Sequence, residues 1–151
     1  MMKGYFEESE NLKALQLEVA SWKNTPYKHW TGVKGKGADC IHFIAEVLKA
    51  VGATKGRAII IPKYPKDWHL HNGQRLLVEG IRAQFDCDEV DSKSPIDGDL
   101  ILYRFGLHEA HGGIYLKGNV HQALTGMGVD KRRYNDKKFY NRMKRAFRIR
   151  L

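Results

Sequence analysis

The chain has 151 residues, carries 26 Lys and Arg against 17 Asp and Glu for a formal charge of +9, and is 42% hydrophobic. That suits one domain spanning residues 1–151 with a hydrophobic core of its own, and excludes a disordered chain. Its longest apolar runs, such as AIII at 58–61, are too short to cross a membrane, and MMKGYFEESENLK turns acidic where a cleaved leader needs an apolar stretch, so synthesis in the cytoplasm is expected.

Taken in chain order, Ser9 can cap a helix whose Leu12, Leu15, Val19 and Trp22 recur every three or four residues. Pro26 ends it near Lys23–Thr25, because the residue before a proline avoids helical geometry. A loop with Gly32, Gly35 and Gly37 leads to a second helix, capped by Asp39. Its apolar face is Ile41, Ile44, Ala45, Val47, Leu48 and Val51, and Gly52 stops it. Pro62–Pro65 reads as a turn, and Asp67 as the cap of a third helix through Leu76, Leu77 and Ile81. The period then changes to two. DLILYRF, GGIYL, NVHQAL and RAFRIRL read as strands, the last alternating Phe147, Ile149 and Leu151 with arginines. Helices first and an antiparallel sheet afterwards predict an α+β domain with the helices packed on one side of the sheet.

The chemistry centres on Cys40. Two cysteines, Cys40 and Cys87, do not make a disulfide framework. At the first position of a helix, unpaired N–H groups and the helix dipole favour a thiolate, the form in which cysteine is a nucleophile. A small core cysteine at a helix start is the alternative. A nucleophile needs a base and the base an orienting partner. Among His29, His42, His69, His71, His108, His111 and His121, the pair His111 and His121 stands out, because it flanks a tight turn at Lys117–Asn119 and can meet across a hairpin. HEAH at 108–111 has the spacing of a metal pair but no completing ligand, so neither metal nor cofactor is expected. The segment KRRYNDKKFYNRMKRAFRIR is basic, which suits an anionic polymer as partner, or simply a solvated face.

TPYKHWTGVKGKGADCIHFIAEVLKAVG and PIDGDLILYRFGLHEAHGGIYLKGNVHQA together resemble the two motif blocks of the NlpC-type cell-wall endopeptidases, papain-like cysteine peptidases that cut peptidoglycan stem peptides. The resemblance implies a papain-like NlpC-type fold, Cys40 as nucleophile, His111 as base and His121 as orienting residue. It also implies that Asp39 and Tyr27 help hold the free amine of the stem peptide. Tyr27 is otherwise a second oxyanion donor or a packed loop aromatic; Trp30 and Trp68 line a groove or belong to the core. The chain departs from the family where Ile41 and His42 replace the usual Ser-Gly after Asp-Cys, and where Gly112 replaces an apolar residue. His42 narrows the groove or packs. YPKDWH at 64–69 and FYNRMKRAFRIR resemble a phage and gene-transfer-agent branch, which implies phage-tail proteins as partners and a virion-associated location. Hydrolysis of stem-peptide amides through a thioester is thus the expected activity. An amidase, thioesterase or acyltransferase on the same scaffold, and a non-catalytic phage structural or wall-binding module, are the alternatives.

Overall fold

The computed structural model describes residues 3–65, 73–105 and 108–151, without the side chains of 73–75 and 108–110. After a 3₁₀ turn at Tyr5–Glu7 come α1 (Ser9–Ser21), a small ribbon of β1 (Gly32–Val33) and β2 (Gly37–Ala38), α2 (Cys40–Ala50) and α3 (Gly73–Gln84). The remaining elements are β3 (Cys87–Val90), β4 (Leu100–Phe105), β5 (His108–Leu116), β6 (Asn119–Leu124), β7 (Gly128–Arg133), α4 (Lys137–Tyr140) and β8 (Met143–Ile149). The main sheet is antiparallel in the order β3-β8-β4-β5-β6-β7.

This is the expected α+β arrangement, with local differences. Ser9 is the first residue of α1, not its cap; Glu8 holds the cap position and makes no side-chain cap bond. The helix ends at Ser21, earlier than Pro26 requires, and Asn24 then adopts φ 70°. Its stripe packs as read: Leu15, Val19 and Trp22 are buried, with Leu12 against the core. Pro62–Pro65 forms no turn and runs as an irregular segment. The proposed cap at Asp67, together with Trp68, His69 and His71, lies outside the described residues.

Two cores flank the sheet. On one face Leu100, Leu102, Ile114, Phe147 and Ile149 pack with the helices through Leu15, Phe43, Val47, Leu48 and Leu77. On the other, Ile101, Tyr103, Val120, Phe139, Met143 and Ala146 form a second, aromatic-rich cluster roofed by α4. The successive residues Leu100 to Tyr103 are all buried because both faces of β4 are covered. The basic C-terminal segment is partly neutralised from within. Arg148 grips the fully buried Asp99 with two bonds of 2.9 and 2.8 Å, and Arg150 pairs with Asp86 and Asp88. Leu151 lies beyond the strand and is half exposed.

Candidate active site

Asp39 is the cap of α2, as its sequence position predicts: Oδ1 accepts from the backbone N–H of His42 at 2.9 Å. The same carboxylate is in contact with His42 Nδ1 at 2.8 Å and accepts from the backbone N–H of Trp30 at 2.7 Å and from the hydroxyl of Tyr64. A carboxylate offers about four acceptor sites, so Asp39 is fully engaged. Burial alone would raise its pKa, but the bonds from His42 and Tyr64 outweigh burial and hold it below the ordinary value. Gly32 makes room for His42, since a Cβ there would sit 2.8 Å from the His42 Cβ.

Cys40 follows as the first residue of α2 and is buried against Tyr64, Ile41, Ile61 and Leu76. The expectation of a thiolate at this helix start is not met. Burial and the neighbouring Asp39 charge push the thiol up to about 12, against a weaker opposing pull from the backbone N–H groups of Gly112, Ile41 and Cys40. The helix terminus acts in the predicted direction and is outweighed. Tyr27 pairs beside Ala38 in the strand-like approach to Asp39, and burial followed by proximity to Cys40 raises its hydroxyl. Trp30, at φ 49°, is partly exposed; its ring meets His42 edge-on at 5.1 Å and its Nε1–H donates to the Pro62 carbonyl at 3.3 Å. His42 therefore packs between Trp30 and Asp39.

His111 stands on β5 directly opposite Tyr103 and is buried. Its ring lies among Tyr103, Phe105 and Phe139, on the face roofed by α4. The next residue, Gly112, turns the other way, toward Ile44 of α2. Among the described residues no hydrogen bond joins His111 to Cys40. Burial holds the imidazole down at about 4, partly countered by Gln122, so it is neutral at pH 7.

The partner of His111 is Gln122. The His111 Nε2–H donates to Gln122 Oε1 at 2.6 Å, which leaves Nδ1 as the acceptor nitrogen. His121 does not meet His111. It lies opposite Ile114, on the helix-facing side of the sheet, beside Val19, Ala20 and Lys23 of the α1 end. Burial, then Lys131, pushes it down to about 4. The reason is the turn between β5 and β6: Leu116 pairs with Asn119, so only Lys117 and Gly118 lie in it, both at positive φ. Gln122 is fully buried, and its Nε2 has no hydrogen-bond partner among the described residues. Leaving such a group unpaired costs about 1–3 kcal/mol.

The NlpC/P60 family model matches residues 24–148. The chain belongs to the NlpC/P60 family. That match runs from just before Tyr27 into β8 and takes in Cys40, His111 and Gln122. No curated protein matches the chain. The NlpC/P60 fold is also seen in the crystal structure of a protein described as similar to lipoprotein, NLP/P60 family, from Staphylococcus aureus subsp. aureus Mu50. It superposes with a TM-score of 0.69 at 16% identity, covering 100% of this chain and 44% of that one. The present chain thus spans less than half of that relative. Membership of the NlpC/P60 family implies a papain-like fold of the kind that cell-wall peptidases and amidases use.

Proposed function

We propose that this NlpC/P60 domain is a cysteine peptidase that hydrolyses amide bonds in peptidoglycan stem peptides, with Cys40 as nucleophile and His111 as base. The observation that carries the reading is the placement of Cys40 at the Asp39-capped start of α2, with backbone N–H groups of Cys40, Ile41 and Gly112 directed at its sulfur. In the reaction the thiol proton passes to His111 Nδ1 and the sulfur attacks the amide carbonyl. The C–N bond then breaks, with His111 returning the proton to the leaving amine. Water hydrolyses the thioester and restores the thiol. The N–H of Cys40 stabilises the oxyanion, a contribution of about 2.7–4 kcal/mol for such a donor. Gln122 fixes the tautomer of His111 while the ring lies on the α4 side of the sheet, and this bond opens when the imidazole moves to Cys40.

The reaction needs His111 on the Cys40 side of β5. The strand carries a bulge next to the histidine: Tyr103 pairs with His111 but Arg104 with Glu109, leaving position 110 unpaired. Bulges are where a strand re-aims a neighbouring side chain. The test is digestion of purified muropeptides followed by mass spectrometry of the products. Cleavage by the wild type, lost in Cys40→Ser and His111→Gln, supports the reading, and the masses distinguish peptide cleavage from amidase or acyl-transfer products. A phage-tail setting is supported by the sequence resemblance of the 64–69 and C-terminal segments, and is tested by looking for the protein in purified virions.

A second reading, a wall-binding module without turnover, is favoured by the buried neutral thiol and its separation from His111. Intact muropeptides together with co-sedimentation on purified sacculi would establish it.

A further inference from the structure

Between α2, α3 and the segment before Pro62 lies a cavity of about 60 Å³. One water needs roughly 10–15 Å³ on this scale, so the space equals about four waters, the size of one aliphatic side chain. Its nearest neighbours in the chemistry are unambiguous: Ile41, Ile61, Tyr64 and Leu76 line the cavity and are also the residues packed around Cys40. Among the described residues the walls offer no spare polar group. Gln84 spends its amide on Ile60, with Oε1 accepting the Ile60 N–H at 2.5 Å and Nε2 donating to the Ile60 carbonyl at 2.7 Å, while the Tyr64 hydroxyl is turned to Asp39. Only hydrocarbon matches such a lining.

Two residues make the space. Leu76, Leu77, Gly80, Ile81 and Gln84 share one face of α3 at three- and four-residue spacing. Gly80 sits at the centre of that face, and a Cβ built on it meets nothing within 4 Å. Ile41 supplies the opposite wall at the position directly after the nucleophile, where a hydroxyl side chain would leave the lining polar.

We infer that this cavity is a specificity pocket for an apolar side chain or short acyl group on the carbonyl side of the bond presented to Cys40. The substrate class is therefore an amide or ester of an aliphatic acyl unit. The inference rests on Cys40 being the nucleophile, but the pocket can be tested without turnover.

The experiment is an NMR titration of the ¹⁵N-labelled full chain with 4-methylpentanamide, which carries a leucine-like acyl group and no amine, and with acetamide. Saturable shifts at the amides of Ile41, Leu77, Gly80 and Ile81 are expected with 4-methylpentanamide, and affinity for acetamide weaker by about tenfold or more. Gly80→Leu fills the cavity and should abolish saturable binding, while Gly80→Ala weakens it. Both replace a helix-interior glycine, so melting temperatures should hold or rise. Equal affinity for the two amides, no binding by the wild type, or undiminished binding by a folded Gly80→Leu would overturn the pocket. Uncleaved muropeptides with intact 4-methylpentanamide binding would sink the hydrolase reading alone.

Discussion

His111 is held at about 4 by burial, against 6.5 for a free imidazole, and this makes acid stability a direct reading of its environment. The unfolded chain takes up a proton at this residue near 6.5, whereas the folded chain does so only near 4. The unfolded state therefore binds more protons throughout that window, and stability is complete above 6.5 and falls as pH drops toward 4. Between about pH 7 and about pH 4.5 the loss attributable to His111 is about 2 kcal/mol. His111→Gln cannot titrate, so the variant should lose about that much less than the wild type over the same range, whatever its absolute stability. Urea unfolding at a series of pH values measures the slope for both proteins. His121→Gln should flatten the slope in the same direction by less, because His121 is only partly buried and its proton is better solvated. A wild-type acid slope in His111→Gln would refute the buried neutral imidazole, and with it the aromatic packing and the Gln122 bond that keep it so.

Alkylation of Cys40 by iodoacetamide in the free protein should be about a thousandfold slower than that of a free thiol at about pH 8, because the folded group ionises near 12 instead of 9; peptide mapping of a time course, scored beside Cys87, checks this, and a rate like that of free cysteine would contradict it. Gly32→Ala should destabilise by about 1–3 kcal/mol through its clash with His42, and a double-mutant cycle with His42→Gly should recover most of the loss. Arg148→Met should cost about 3–5 kcal/mol, since it strands the fully buried Asp99 carboxylate; thermal and urea melts read it directly. Cys87→Ser should leave muropeptide cleavage intact, and its loss would move the nucleophile away from Cys40.

Much of this architecture is legible from patterning. The stripes of α1 and α2, the Asp39 cap, the Gly52 stop and the strands through 100–105, 119–124 and 143–149 follow from period and turn chemistry. The strands β3 and β7 are harder to read: CDEV and GVDKRR are short and charged, because they sit at the two edges of the sheet, where solvent takes one side. The histidine pairing depended on one residue of turn length. With three residues in the turn, His121 would share a face with His111; with Lys117 and Gly118 alone, parity reverses and Gln122 does. The thiol shows a different limit. Sequence reveals the helix start that lowers a cysteine pKa, but the burial under Tyr64 comes from a segment more than twenty residues away.

The place of β8 has a consequence for how the chain reaches its native state. β4 to β7 are joined by short connections and can zip up as a meander from local contacts. β8 must then enter between β4 and β3, bonding to Leu100–Tyr103 on one side and Cys87–Val90 on the other. Until residues 143–149 arrive, β4 exposes an open, apolar edge and β3 has no strand beside it. A ribosome therefore releases most of this domain before its sheet can close, and closure waits on a loop between distant parts of the chain. Loss of those seven residues would remove an inner strand of the sheet rather than its border, and aggregation through the open edge of β4 is the expected fate of such a fragment.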